Sequence, residues 1–446
     1  MLLFRVILVI CVLWLVYFLF MKASGSLKFT KMNMISAIYY YIMAFNLIGA
    51  SLVYLGLHDH YLIQKIRNPK SYDYTYYALS YSLIMFPLVL LAMKRTVGSF
   101  IQRKNIISFV EEGIYYNADM ISIQTVALFL IAVCTLATVY VFMNLGYIPI
   151  VSMIKGGNLA ALRQSGNRYF AGNQYIKNLF MTTLTPLVSY FTYVYYRMTR
   201  SKTWGFLFFY MAFLSVIVLT YDFSKSPIIT YLLGLYLIEV AIGKIRNNKR
   251  FFRLALSACM IILFFYVIML KAGDSLFSIY TGPMGRIIFT QIATLFLHVE
   301  AFPWIHPYLK GASFNHWMSF IIPAAEGLRS GRVVMTIYNP SGVETNTAGV
   351  MNTMFIGEAY ANFGLFGIII APIIFGVVIG LFAYLIPSLK KTPLTVLLYV
   401  EMTLQFITMV EGGFVDIFYS ASTIFIILII LFMKVCTGPE EYYRLA

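Results

Sequence analysis

Two arginines stand five positions apart in Leu162-Arg163-Gln164-Ser165-Gly166-Asn167-Arg168-Tyr169, among amides, a glycine and a tyrosine. A guanidinium presents a planar fork of donors that matches phosphate oxygens bidentately. Amides and phenols supply the hydrogen bonds that sugar hydroxyls need. The segment therefore suits capture of a phosphate or a sugar; a solvated loop whose arginines touch lipid headgroups fits it as well. A second concentration lies between Gly273 and Met351, with Arg286, Glu300, Lys310, Glu326, Arg329, Arg332 and three of the five histidines. At 3.6 residues per turn, Arg286 and Glu300 are nearly four turns apart, which would put them on one helix face. Arg329-Ser330-Gly331-Arg332 adds a cationic pair. Glu300 or His298 could accept a proton from an attacking hydroxyl; the plainer role for Glu300 is a structural ion pair with an arginine. Further on, Glu358 and Asn362 are i,i+4 neighbours, an acid and an amide in a polar notch at the edge of an apolar run. Glu401 with Gln405, and Asp222 with Lys225, are ionisable residues in or beside such runs. There an ionisable group is a functional candidate by default, although a buried polar contact accounts for each equally well. His298, His306 and His316 lack metal-ligand spacing and His58-Asp59-His60 is too short a motif, so no metal site is expected.

What must hold these residues follows from composition. Of 446 residues, 61% are hydrophobic and 11% charged, against about 25% charged in a soluble domain. A water-soluble fold is excluded. Apolar runs of about 17–25 residues can cross a bilayer as helices, whereas barrel strands would alternate over segments of roughly ten, a pattern not seen here. The net charge of +16 is spread in small clusters between apolar runs, the signature of membrane topology and not of nucleic-acid binding. Cys11, Cys134, Cys259 and Cys436 fall within or at the ends of apolar runs and read as small core residues. The run from Arg5 through Met21 lacks a cleavage site and reads as a first span.

The class is an all-α polytopic membrane protein, one transmembrane domain over 1–446, with about eleven spans (10–12). We place them at 2–21, 34–57, 75–93, 120–144, 177–196, 204–221, 227–243, 254–272, 355–386, 394–411 and 417–435. The strongest basic connection, Lys244 to Arg253, is assigned to the cytoplasm. Alternation then brings the other short basic connections to the same side, and most of the 33 basic residues with them. The opposite side receives two enlarged loops, 145–176 and 273–350, and all five histidines. Within the longer loop, Gly285–Phe302 is apolar. With Gly282-Pro283 ahead of it and Arg286 in its first turn, it reads as a re-entrant or interfacial helix.

The two enlarged outer loops resemble those of the O-antigen and capsular repeat-unit polymerases (Wzy-type). So do the Asp222-Phe223-Ser224-Lys225-Ser226-Pro227 turn and the Gly357-Glu358-x-Tyr360-x-Asn362-Phe363-Gly364-x-x-Gly367 run. The resemblance implies a GT-C-like architecture related to the O-antigen ligases. It also implies a glycosyltransferase that joins oligosaccharide repeat units carried on undecaprenyl pyrophosphate, at the outer face of the bacterial cytoplasmic (inner) membrane. The product would be O-antigen or capsule, and a chain-length regulator and a flippase would be companions. Under this reading Glu358, Glu300 and His298 are the candidate proton acceptors. Arg163, Arg168, Tyr169, Arg286, Arg329, Arg332 and Asn362 are the substrate-binding candidates. Fixed arginine charge would stabilise the leaving pyrophosphate without metal or cofactor. One departure stands out: where the ligases carry a His-Asn pair before this span, the sequence has Asn352-Thr353. Two other readings stay open: a flippase or transporter of lipid-linked oligosaccharides, and an O-antigen ligase or other membrane transferase.

Overall fold

The computed structural model describes residues 2–100, 106–117, 120–147, 166, 170–222, 224, 226–245, 249, 253, 256, 278–280, 282–345, 347–437 and 442–444. Among them, eight helical segments are long and apolar enough to cross a membrane, so the chain has the architecture of a polytopic helical membrane protein. In chain order the helices are α1 (Leu2–Ser24), α2 (Met34–Tyr54), α3 (Lys70–Phe100), α4 (Ile106–Glu111), α5 (Met120–Leu145), α6 (Leu184–Thr199), α7 (Lys202–Leu219) and α8 (Ser226–Ala241). There follow α9 (Gln291–Ala301), α10 (Ser330–Tyr338), α11 (Pro340–Glu344), α12 (Phe355–Phe363), α13 (Leu365–Leu385), α14 (Pro393–Gly412) and α15 (Ala421–Cys436).

Most expected spans coincide with these helices, and the departures have physical causes. The expected span 177–196 lies in π-helical Ile176–Thr183 running into α6, and 227–243 corresponds to the shorter α8; neither is among the eight. Apart from Leu256, the span 254–272 lies outside the described residues. The single expected span 355–386 is two helices. Gly364, at φ 60° and ψ −140°, turns the chain between α12 and α13, a backbone conformation essentially confined to glycine. The loop 273–350 is not structureless either, since it contains α9, α10 and α11.

Packing follows the small residues. α13 lies along α3, where a Cβ at Gly376 would come within 2.7 Å of Val89 Cβ and one at Gly380 within 2.8 Å of Met93 Cβ. Glycines four apart let two helix backbones approach closely, the main source of association where lipid removes the hydrophobic drive between helices. α2 and α14 are largely buried in the bundle, and the amide of Met34 donates to the Tyr399 hydroxyl (2.8 Å) between them. α1 and α15 are peripheral, and α15 exposes Ile424, Leu428, Leu431 and Val435.

The ends of the bundle differ in charge. At one end the short basic connections gather. Lys391 Nζ donates to the carbonyls of Glu112 (2.6 Å) and Val110 (3.3 Å), and Tyr236 donates to Phe29 O (2.6 Å). Strand Tyr115–Asn117 pairs antiparallel with Tyr442–Arg444 there as well. At the other end Arg5 pairs with Asp73 (2.8 Å), and the long loop folds over the helix termini.

Candidate functional site

Away from the basic end, four elements converge on one arginine. Arg329 precedes α10 in extended conformation (φ −62°, ψ 133°), which carries its side chain off the helix. Its Nε meets Glu358 Oε1 at 2.8 Å, and Nη1 and Nη2 meet Asp416 Oδ1 and Oδ2 at 2.7 and 3.2 Å. Nη2 also donates to the Gly412 carbonyl (3.0 Å). Glu358 comes from the first turn of α12, where the helix dipole favours an anion, and its Oε2 accepts the Val415 amide (3.1 Å). Asp416 lies in the 3₁₀ turn after α14. The turn is possible because Gly413 sits at φ 140°. A Cβ there would come within 2.3 Å of Glu358 Oε2 and 2.6 Å of Arg329 Nη2.

Electrostatics makes this a fixed cluster. Burial opposes the charge on Arg329, but Asp416 and Glu358 outweigh it and hold the guanidinium above its ordinary range. Burial pushes the Glu358 carboxyl up, while Arg329 and the Val415 amide pull it down. With a guanidinium at 2.8 Å we take the pair as ionised. The side chain of Glu358 is 2% exposed and that of Asp416 29%. Asp416 is therefore the carboxylate that a substrate can reach. The donors of Arg329 are largely taken up by protein oxygens, so its main work is to orient the two acids.

The other expected site residues fall around this cluster. Asn362 is buried and its amide is satisfied internally. Oδ1 accepts from the amides of Gly311 (3.1 Å) and Ser313 (3.4 Å), and Nδ2 donates to Ser313 Oγ (2.9 Å) and Glu358 O (2.8 Å). It clasps the loop to α12, where Lys310 and Gly311 both adopt positive φ. His298, fully buried in α9, donates from Nδ1 to Thr294 O (2.7 Å), so Nε2 accepts from Ser330 Oγ (3.1 Å). Burial lowers it to about 4, which keeps the imidazole neutral, and its partner Ser330 is the residue after Arg329.

The expected face shared by Arg286 and Glu300 does not form. Residues Arg286–Thr290 are π-helical, and the wider turn shifts the 3.6-residue phase. Arg286 is exposed, while Glu300 is buried in another direction. Nor does Glu300 pair with an arginine side chain among the described residues. Its Oε1 accepts the backbone amides of Arg67 (2.6 Å) and Asn68 (3.2 Å), and the buried Tyr338 phenol lies against the same carboxylate. Arg332 is exposed like Arg286, and neither meets a carboxylate at ion-pair distance among the described residues. Arg163, Arg168 and Tyr169 lie outside the described residues. Thr353 is buried and packs beside Gly357, while Asn352 is exposed. Among the described residues no cluster of three or more His, Cys, Asp or Glu side chains could hold a metal ion.

Asp416 is the participant that sequence reasoning missed. Its signal is short: Glu411-Gly412-Gly413-Phe414-Val415-Asp416 sets two acids around a glycine pair in a tight connection between apolar runs. Comparison with known protein families, curated proteins and solved structures finds no match to this chain.

Proposed function

We propose that the chain is a membrane glycosyltransferase that polymerises undecaprenyl-pyrophosphate-linked oligosaccharide repeat units at the extracytoplasmic face of the bacterial inner membrane. The observation that carries this reading is the Arg329–Glu358–Asp416 cluster. In a chain poor in charge, it fixes a reachable carboxylate at the end opposite the basic connections, beside a loop with exposed arginines. In the proposed reaction Asp416 accepts the proton of the acceptor sugar hydroxyl as that oxygen attacks the anomeric carbon of the donor glycan. The bond to the lipid pyrophosphate breaks, and its developing charge is met by Arg286 and Arg332, with Arg163 and Arg168 as further candidates. Glu358 holds Arg329, which orients Asp416. Glu300, His298 and Asn362 act as positioning groups. Apolar flanks such as that of α15 give the lipid carriers access from the bilayer.

Deleting the gene should leave cells with surface glycan one repeat unit long, because export and transfer to the final carrier continue without polymerisation. A second reading, transport of the same lipid-linked sugars, draws on the carboxylates of α14, Glu401 and Glu411, whose buried position suits ion coupling. Loss of a transporter would instead trap lipid-linked units inside and give no surface product.

A further inference from the structure

The long loop carries an apolar surface that the site above does not use. Between Pro303 and Ala325, Lys310 is the only charged side chain. Trp304, Ile305, Trp317, Phe320 and Ile321 stand out from this stretch, each more than half exposed. Large apolar side chains left uncovered together in one loop mark an interaction surface. Its depth follows from what the loop packs on. The amides of Leu309 and Lys310 donate to the carbonyls of Ala361 (2.9 Å) and Asn362 (3.0 Å) at the end of α12, and Tyr308 lies against Gly364. The next residue, Leu365, opens the apolar span of α13. On the other flank Phe314 packs on Phe414 and Phe418, and the rings of Trp317 and Tyr419 are 5.2 Å apart. Phe418 and Tyr419 lie at the start of the apolar segment Val415–Cys436, which ends in α15. The loop is thus tied to two places where the chain enters the bilayer, beside the exposed side chains of Leu365, Phe366 and Phe418.

We infer that this loop lies in the bilayer interface at its end of the bundle, with Trp304, Ile305, Trp317, Phe320 and Ile321 inserted at the boundary between lipid headgroups and acyl chains. Tryptophan favours that boundary because its ring is apolar while its N–H can still find a hydrogen-bond acceptor. Insertion also requires that the backbone carry few bare polar groups into lipid. The amides of Ile305, Met318, Ser319, Ile321 and Ile322 all bond to carbonyls within the same turns. Lys310 is exposed, on a long apolar stem that lets its charge reach lipid phosphates. A soluble protein partner would have to meet the patch at a level that lipid already occupies. The inference stands whether or not the chain polymerises sugars; under the proposed function, Phe314 and Trp317 hold the turn of Asp416 at the depth of a lipid-borne pyrophosphate.

The test reconstitutes the purified full-length chain in phosphatidylcholine vesicles and follows tryptophan emission against two quenchers. One is phosphatidylcholine brominated at chosen acyl positions; the other is iodide, present on both sides of the membrane. Trp14→Phe removes the exposed tryptophan of the α1 span, and Trp204 is buried in protein. Adding Trp304→Phe or Trp317→Phe then gives the share of each loop tryptophan by difference. Each share should be blue-shifted from tryptophan in water and should resist iodide. It should fall steeply with bromines near the carbonyl end of the chain, and less with bromines near the methyl end. Strong iodide quenching of the unaltered chain would overturn the inference, and that result needs no variant to fold, because lipid shields Trp14 and protein shields Trp204. Shares untouched by either quencher would overturn it equally, since a second copy or another protein would then cover the patch.

Discussion

Asp416 and His298 carry opposite expectations at the residue scale, because one is reachable and the other sealed. Asp416→Asn keeps the shape and an oxygen for Arg329, but it removes the proton acceptor. Polymerisation should fall about 10²–10⁴-fold, while the part-exposed pair costs the fold only about 1 kcal/mol; activity and Tm of the purified variant check the two together. His298 should show itself in stability. Its folded value of about 4 lies below the ordinary 6.5, so below about pH 6.5 the unfolded chain takes up a proton that the folded chain refuses. Stability is full above that value and declines as pH falls toward 4, by up to about 1.4 kcal/mol per pH unit. His60, which burial also lowers to about 4, shares the window, so the difference between chains is the useful quantity. His298→Gln should flatten the decline of Tm over that range; an unchanged slope would mean that the imidazole is not held neutral.

At the scale of elements, two short breaks in helix decide where chemistry can occur. The turn at Gly364 separates α12 from α13 and leaves Glu358 and Asn362 at the bundle's end instead of within a span. The turn at Gly413 brings Asp416 under Arg329. Gly413→Ala would force a methyl group between Glu358 and Arg329 and put alanine at φ 140°, at a cost of about 2–4 kcal/mol. Tm should fall together with activity, and a variant with normal Tm and activity would show that the cluster does not depend on this turn. These breaks explain what the sequence concealed. Hydropathy reads 355–386 as one apolar run because Gly364 does not interrupt it. The periodicity that aligned Arg286 with Glu300 fails because a π-turn intervenes. Glu358 and Arg329 were legible as isolated polar residues, but their pairing joins positions far apart in the chain.

For the whole molecule, the membrane class was legible from composition alone, since a chain with 11% charged residues has no other way to bury its surface. The partition of polar groups between the two ends of the bundle was legible as well, in the alternation of basic connections. The central claim is that the end away from those connections builds polymer from lipid-linked units. The most direct measurement gives the purified chain in detergent lipid-linked repeat units, with EDTA present and no nucleotide sugar, and resolves the products by size. The account predicts a ladder of glycans, each longer by one repeat unit than the last, that disappears with Asp416→Asn. No ladder from the correct substrate, together with protein-dependent movement of that substrate across vesicle membranes, would contradict it.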